Sequence, residues 1–84
     1  MYVTKPEKTY LKQPFSKMTE RERIGALIAS TRKEKGLTQD DLAVKCGMQK
    51  QNISRIEHGK YSIGIEILAK VCKAMGCKLD IISE

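Results

Sequence analysis

Apolar positions take up a regular spacing only from residue 19 onward. Thr19 and Glu22 make a T-x-x-E capping box, and Ile24, Leu27, Ile28 and Thr31 follow at helical spacing. Gly36 is the expected end of this first helix. Thr38, with Asp41 three residues later, restarts a helix whose inward face is Leu42, Ala43 and Cys46 and which Gly47 closes. A third short helix is expected over roughly Gln49 to His58, with Gly59 as its stop. Ile53 and Ile56 lie on one side of it, which leaves Lys50, Gln51, Ser54 and Arg55 largely on the other.

The fourth periodic segment runs from near Gly64 to Met75 and ends at Gly76, with Ile65, Leu68, Ala69, Cys72 and Met75 as its core stripe. Ile67, Val71 and Ala74 form a second stripe. A helix apolar on two sides is usually buried on two sides, so either a subunit contact or one wide core face accounts for it. Cys77, Leu79 and Ile81 then alternate with Lys78 and Asp80 and end in Ile82, the pattern of a short strand. Ahead of these elements, residues 1–18 carry Lys5-Pro6 and Gln13-Pro14, four lysines against one glutamate, and scattered Tyr2, Tyr10, Leu11 and Phe15. They read as a basic arm: a loose tail, a segment that touches DNA, one that folds on a protein partner, or a short strand. Three units result, an arm over 1–18, a helical domain over 19–76 and a strand over 77–84.

Size and charge narrow the function. With 84 residues the chain is one small domain, whose marginal stability makes oligomerisation an expectation. A catalytic cleft is hard to build at this size, and no nucleophile–base pairing, paired-carboxylate pattern or phosphate-cradling glycine loop is present, so a binding module is expected rather than an enzyme. The net charge of +6 draws in polyanions. No stretch approaches the length of a membrane span and the polar start lacks a signal peptide's apolar core, so a cytoplasmic protein is expected. Cys46, Cys72 and Cys77 are odd in number and contain no C-x2-C pair, which fits reduced thiols better than disulfides or zinc. Neither a cofactor nor a metal is expected. His58, beside Gly59, suits helix capping or phosphate contact.

Two short helices joined by Gly47-Met48, with one more helix on each side, form a helix-turn-helix. A short helix with a polar outer face and an apolar inner face fits the major groove of B-DNA and presents side chains to base edges. The segments Leu37-Thr-Gln-Asp-Asp-Leu-Ala43, Gly47, Ile53-Ser-Arg-Ile-Glu57, Gly59-Lys60 and Leu68 to Gly76 resemble phage-repressor-type regulators of the Xre family over about residues 20 to 80. The resemblance implies an all-α, phage-repressor-like helix-turn-helix domain of four helices with a short C-terminal strand. It also implies roles for residues. Gln39 matches a glutamine that binds backbone phosphate and braces the start of the recognition helix. Lys50, Gln51 and Arg55 match base-facing positions, and their chemistry suits guanine and adenine edges. Gln49, Asn52 and Lys60 are better placed for phosphates. Arg32 and Glu57 match an ion pair tying the first helix to the third. Gln49 stands where a Ser or Thr cap is usual, and Ile63-Gly64 where Ser commonly follows Pro.

The end of the chain is similar to that of antitoxin-type members of the family, in which terminal strands pair across a two-fold axis. Ile67, Val71, Leu79 and Ile81 are then the expected dimer contacts, although the strand could instead pair with the arm of its own chain. The functional expectation is a homodimeric repressor on a palindromic double-stranded DNA operator. The alternative is an antitoxin that neutralises a toxin protein and autoregulates its operon.

Overall fold

The computed structural model describes residues 18–83 and folds them into four helices: α1 (Glu20–Glu34), α2 (Gln39–Cys46), α3 (Lys50–Glu57) and α4 (Ile65–Ala74). Apart from Met18, the expected basic arm lies outside the described residues. Two capping boxes start the first two helices. The Glu22 N–H donates to the Thr19 hydroxyl at 3.1 Å while the Thr19 N–H donates to Glu22 Oε1 at 2.9 Å. Thr38 and Asp41 repeat the exchange at 3.0 and 2.9 Å. Each box satisfies two N–H groups that a helix start otherwise leaves without partners. The Thr38 backbone and hydroxyl hydrogen bonds hold the Asp41 carboxyl below its ordinary range.

All four helices end alike. The N–H groups of Leu37, Met48, Lys60 and Cys77 reach back to the carbonyls of Arg32, Ala43, Arg55 and Cys72 at 2.8–3.0 Å, each over a left-handed glycine. Gly47, at φ +68°, makes the turn from α2 into α3, a conformation that costs other residues about 1–2 kcal/mol. The helix-turn-helix angle is therefore set by hydrogen bonds and one residue's lack of a side chain.

Helix α2 packs on α3 and α4, and α3 also packs on α1. Their shared core comprises Ile28, Leu42, Ala43, Cys46, Ile53, Ile56, Val71 and Met75. Cys46 and Cys72 are buried and unpaired, and burial, with the neighbouring Cys77 adding to it, pushes the Cys72 thiol up to about 11. These thiols behave as small apolar groups of the core. Among the described residues no helix is long and apolar enough to cross a membrane.

Of the two alternatives for α4, the structure shows one wide core face, without Ile65 and Ala69 of the expected core stripe. Val71, Cys72 and Met75 are buried, with Ile67, Leu68 and Ala74 partly buried beside them, whereas Ile65 is 74% exposed and Ala69 is exposed. At about 100° per residue, Ile67, Leu68, Val71, Cys72, Ala74 and Met75 span one broad arc that leaves out Ile65 and Ala69. Val71, at 0% exposure, belongs to the core and not to a dimer contact. The expected terminal strand also differs: residues 77–83 show only an isolated bridge position at Lys78 among the described residues. One paired position is too short to make a ladder, so the described part of the segment does not form a strand.

Helices α1 and α3 approach closely at Gly25, in the second turn of α1. A Cβ there would collide with the Ile56 carbonyl oxygen and stand 2.7 Å from the Glu57 carbonyl oxygen. Those atoms are backbone and cannot rotate aside, so α1 and α3 can meet only at a glycine. Gly25→Ala should lower unfolding free energy by about 1–3 kcal/mol despite alanine's better helix propensity, measured by urea denaturation. An unchanged or raised midpoint would mean that the helices separate at little cost.

Candidate nucleic-acid interface

The polar network behind α3 begins with Arg32 in the last turn of α1. Its Nε donates to Glu57 Oε2 at 2.7 Å, its Nη2 to Glu57 Oε1 at 3.2 Å and its Nη1 to the Leu37 carbonyl at 2.8 Å. Gln39, the first residue of α2, donates from Nε2 to the same Glu57 Oε1 at 2.9 Å. One carboxylate at the end of α3 thus receives the end of α1 and the start of α2. The pair is nearly dry, with side-chain exposures of 10% for Arg32 and 4% for Glu57. A carboxylate at a helix C-terminus opposes the helix dipole, and the guanidinium offsets that cost while filling both carboxylate oxygens.

Anchored at its C-terminal end and packed inward through Ile53 and Ile56, α3 presents its other side to solvent. Lys50, Gln51 and Arg55 are exposed, and the helical repeat puts Ser54 and His58 on the same face. His58 Nδ1 lies 2.7 Å from the Ser54 carbonyl, which leaves Nε2 outermost. Gln49 is the N-cap residue of α3 but makes no side-chain cap hydrogen bond, in keeping with glutamine's poor fit to that role. Asn52 is half-buried on the flank of the face, and Lys60 is exposed just beyond Gly59. Gln39 is half-buried at the edge where α2 starts. The Lys50 ammonium stands 4.0 Å from Asp40 Oδ2. Lys50, Gln51 and Arg55 therefore share one exposed surface, with Gln49 and Lys60 at its two ends. Of the expected dimer residues, Ile67 and Leu79 are half-buried and Ile81 is 95% exposed.

The helix-turn-helix family matches residues 28–82, which takes in the whole of α2, α3 and α4. The chain belongs to the Xre-type helix-turn-helix family. It is 38% identical over 60 residues to the uncharacterized HTH-type transcriptional regulator y4mF of Sinorhizobium fredii, covering 71% of this chain and 79% of that one. Among solved structures it is similar to the clp gene regulator ClgR of Corynebacterium glutamicum, at a TM-score of 0.68 and 36% identity over 69% of this chain and 74% of that one. It is also similar to the restriction-modification controller protein C.Esp1396I, solved as a tetramer with its natural 35 base-pair operator. That match has a TM-score of 0.65 and 32% identity, covering 68% of this chain and 75% of that one. As an Xre-type protein it carries the DNA-binding domain of a transcriptional regulator.

Gly25 is not among the expected features, although a glycine inside a strongly helical pattern signals a close approach. Ser54, expected only as polar surface, lies by helical phase between the base-facing candidates. For the buried network the expectation is specific. Arg32→Met leaves the Glu57 carboxylate buried with no cation and should cost about 3–5 kcal/mol of stability in urea unfolding. The double variant with Glu57→Met should recover part of that loss, because it removes the orphaned charge. Equal losses in the single and double variants would show that the pair contributes packing alone.

Proposed function

We propose that this protein is a sequence-specific repressor that binds a palindromic operator as a homodimer, with α3 in the major groove. The observation that carries this reading is the outer face of α3, where exposed Lys50, Gln51 and Arg55 stand on a helix locked from behind by Arg32 and Glu57. Arginine or lysine can pair with guanine O6 and N7 and glutamine with adenine, each contact discriminating by about 1–3 kcal/mol. Gln39, Gln49, Asn52 and Lys60 contact phosphates, which supplies salt-dependent affinity and register. In Gln39 the bond to Glu57 uses one amide N–H and leaves the second for a phosphate oxygen. Repression follows from occupancy of the operator.

A second copy is supported by apolar surface that one copy leaves uncovered: Ile65 on α4, and Ile81 and Ile82 after it. Ile81, with half-buried Ile67 and Leu79, belongs to the contacts expected for dimerisation, and the operator-bound tetramer of C.Esp1396I supports assembly of copies on DNA. Two recognition helices about 34 Å apart read half-sites one helical turn apart. The second reading, an antitoxin whose partner is a toxin protein, draws on the same exposed Ile81 and Ile82, since an apolar terminal segment also suits docking to a different chain.

Competition titrations on a bound duplex separate readers from anchors. Arg55→Ala should lose about 1–3 kcal/mol of discrimination against substitutions at one base pair, while Lys60→Ala should weaken all duplexes alike and flatten the salt dependence by about one ion. An Arg55→Ala effect equal on every sequence would remove Arg55 from the base-reading set.

A further inference from the structure

The two acids that open α2 have different partners. Asp41 is consumed by the capping box, its carboxylate taking the Thr38 N–H. Asp40 takes no part in that box, and its Oδ2 lies 4.0 Å from the ammonium of Lys50, the first residue of α3. Both side chains are exposed, at 70% for Asp40 and 56% for Lys50. A lysine at the first position of a helix faces the positive end of the helix dipole, so an acid across the turn offsets an unfavourable placement. On the surface that meets DNA, however, a carboxylate repels every phosphate alike.

We propose that Asp40 is a specificity-determining residue, whose carboxylate holds the Lys50 ammonium over the base-reading face and away from phosphates. The inference rests on the reading of α3 as the DNA reader. Without Asp40, Lys50 is a long flexible cation next to a polyanion, free to settle on backbone oxygens that carry no sequence information. With Asp40, the ammonium already has a counter-charge. A backbone phosphate must displace that counter-charge, and only a site that adds base contacts repays the displacement. The acid therefore lowers affinity for random duplex more than affinity for the operator. The neighbouring acids thus differ: both favour the start of α2 through the helix dipole, Asp41 alone closes the capping box, and Asp40 alone faces Lys50.

The test uses the full chain, a duplex recovered from random DNA by the unaltered protein, and a scrambled duplex of equal composition, titrated over a series of KCl concentrations. Asp40→Asn should tighten binding to the scrambled duplex by about two- to fivefold with a smaller gain on the selected one, so that discrimination falls. The slope of log affinity against log salt should steepen by about one. In a Lys50→Met background both changes should shrink towards nothing. If they persist there in full, Asp40 acts as a bare charge and the proposal is wrong. If Asp40→Asn changes neither duplex while the unaltered protein still discriminates, the proposal falls and the DNA reading stands. If the unaltered protein recovers no duplex at all, the DNA reading falls and takes the proposal with it.

Discussion

The fold depends on one buried carboxylate. Glu57 ends α3, and on its two oxygens converge the Arg32 guanidinium from α1 and the Gln39 amide from the start of α2, while Arg32 also holds the Leu37 carbonyl between those helices. Hydrophobic contact alone fixes helix positions loosely, because apolar side chains tolerate small slides and rotations. Directional, charge-assisted hydrogen bonds to a single group do not. Here they set the rotation and height of α3 relative to its two neighbours. Because the pair is almost fully withdrawn from water, the constraint survives salt at concentrations that screen surface ion pairs.

Close backbone contact reinforces this anchor. Gly25 lets α1 lie directly against the carbonyls of Ile56 and Glu57, and a Cβ at Gly59 would stand 2.8 Å from the Glu22 Cα, so the chain after α3 also lies close against α1. The C-terminal end of α3 is thus held by backbone as well as by Arg32, whereas its N-terminal end has no side-chain cap. The end that is pinned carries the structural carboxylate, and the end that is open carries Lys50 and Gln51. A DNA-reading helix benefits from that division, since its rotation is fixed in advance while the first turn remains free to meet phosphates and bases.

Local chemistry made much of this legible in the sequence. Thr19 with Glu22, Thr38 with Asp41, and the glycines at 36, 47, 59 and 76 act within a few residues of themselves, so helix starts and stops follow from the sequence to within a residue or two. The short α3 with Ile53 and Ile56 inward was legible for the same reason. Burial of α4 was not, because its apolar residues surround much of the helix and only the neighbour's position decides that Val71 goes inward and Ile65 stays out. Gly25 carried a signal, but its partner carbonyls lie some thirty residues away in the chain and became visible only with the packing of α1 on α3. Thr38 marks Asp41 in the sequence as the capping acid, whereas the nearness of Asp40 to Lys50 appears only in the structure. Residues 77–83 alternate as a strand does, yet a strand is a property of at least two segments.

Whether α3 reads DNA sequence is decided by a bind-and-sequence selection with the purified chain on random duplexes at near-physiological salt, where non-specific binding of basic domains is weak. A reader helix in each copy of a dimer should recover a palindrome whose half-sites lie about 10 base pairs apart, centre to centre. Failure of a folded protein to enrich any sequence would assign the exposed face of α3 to something other than base recognition.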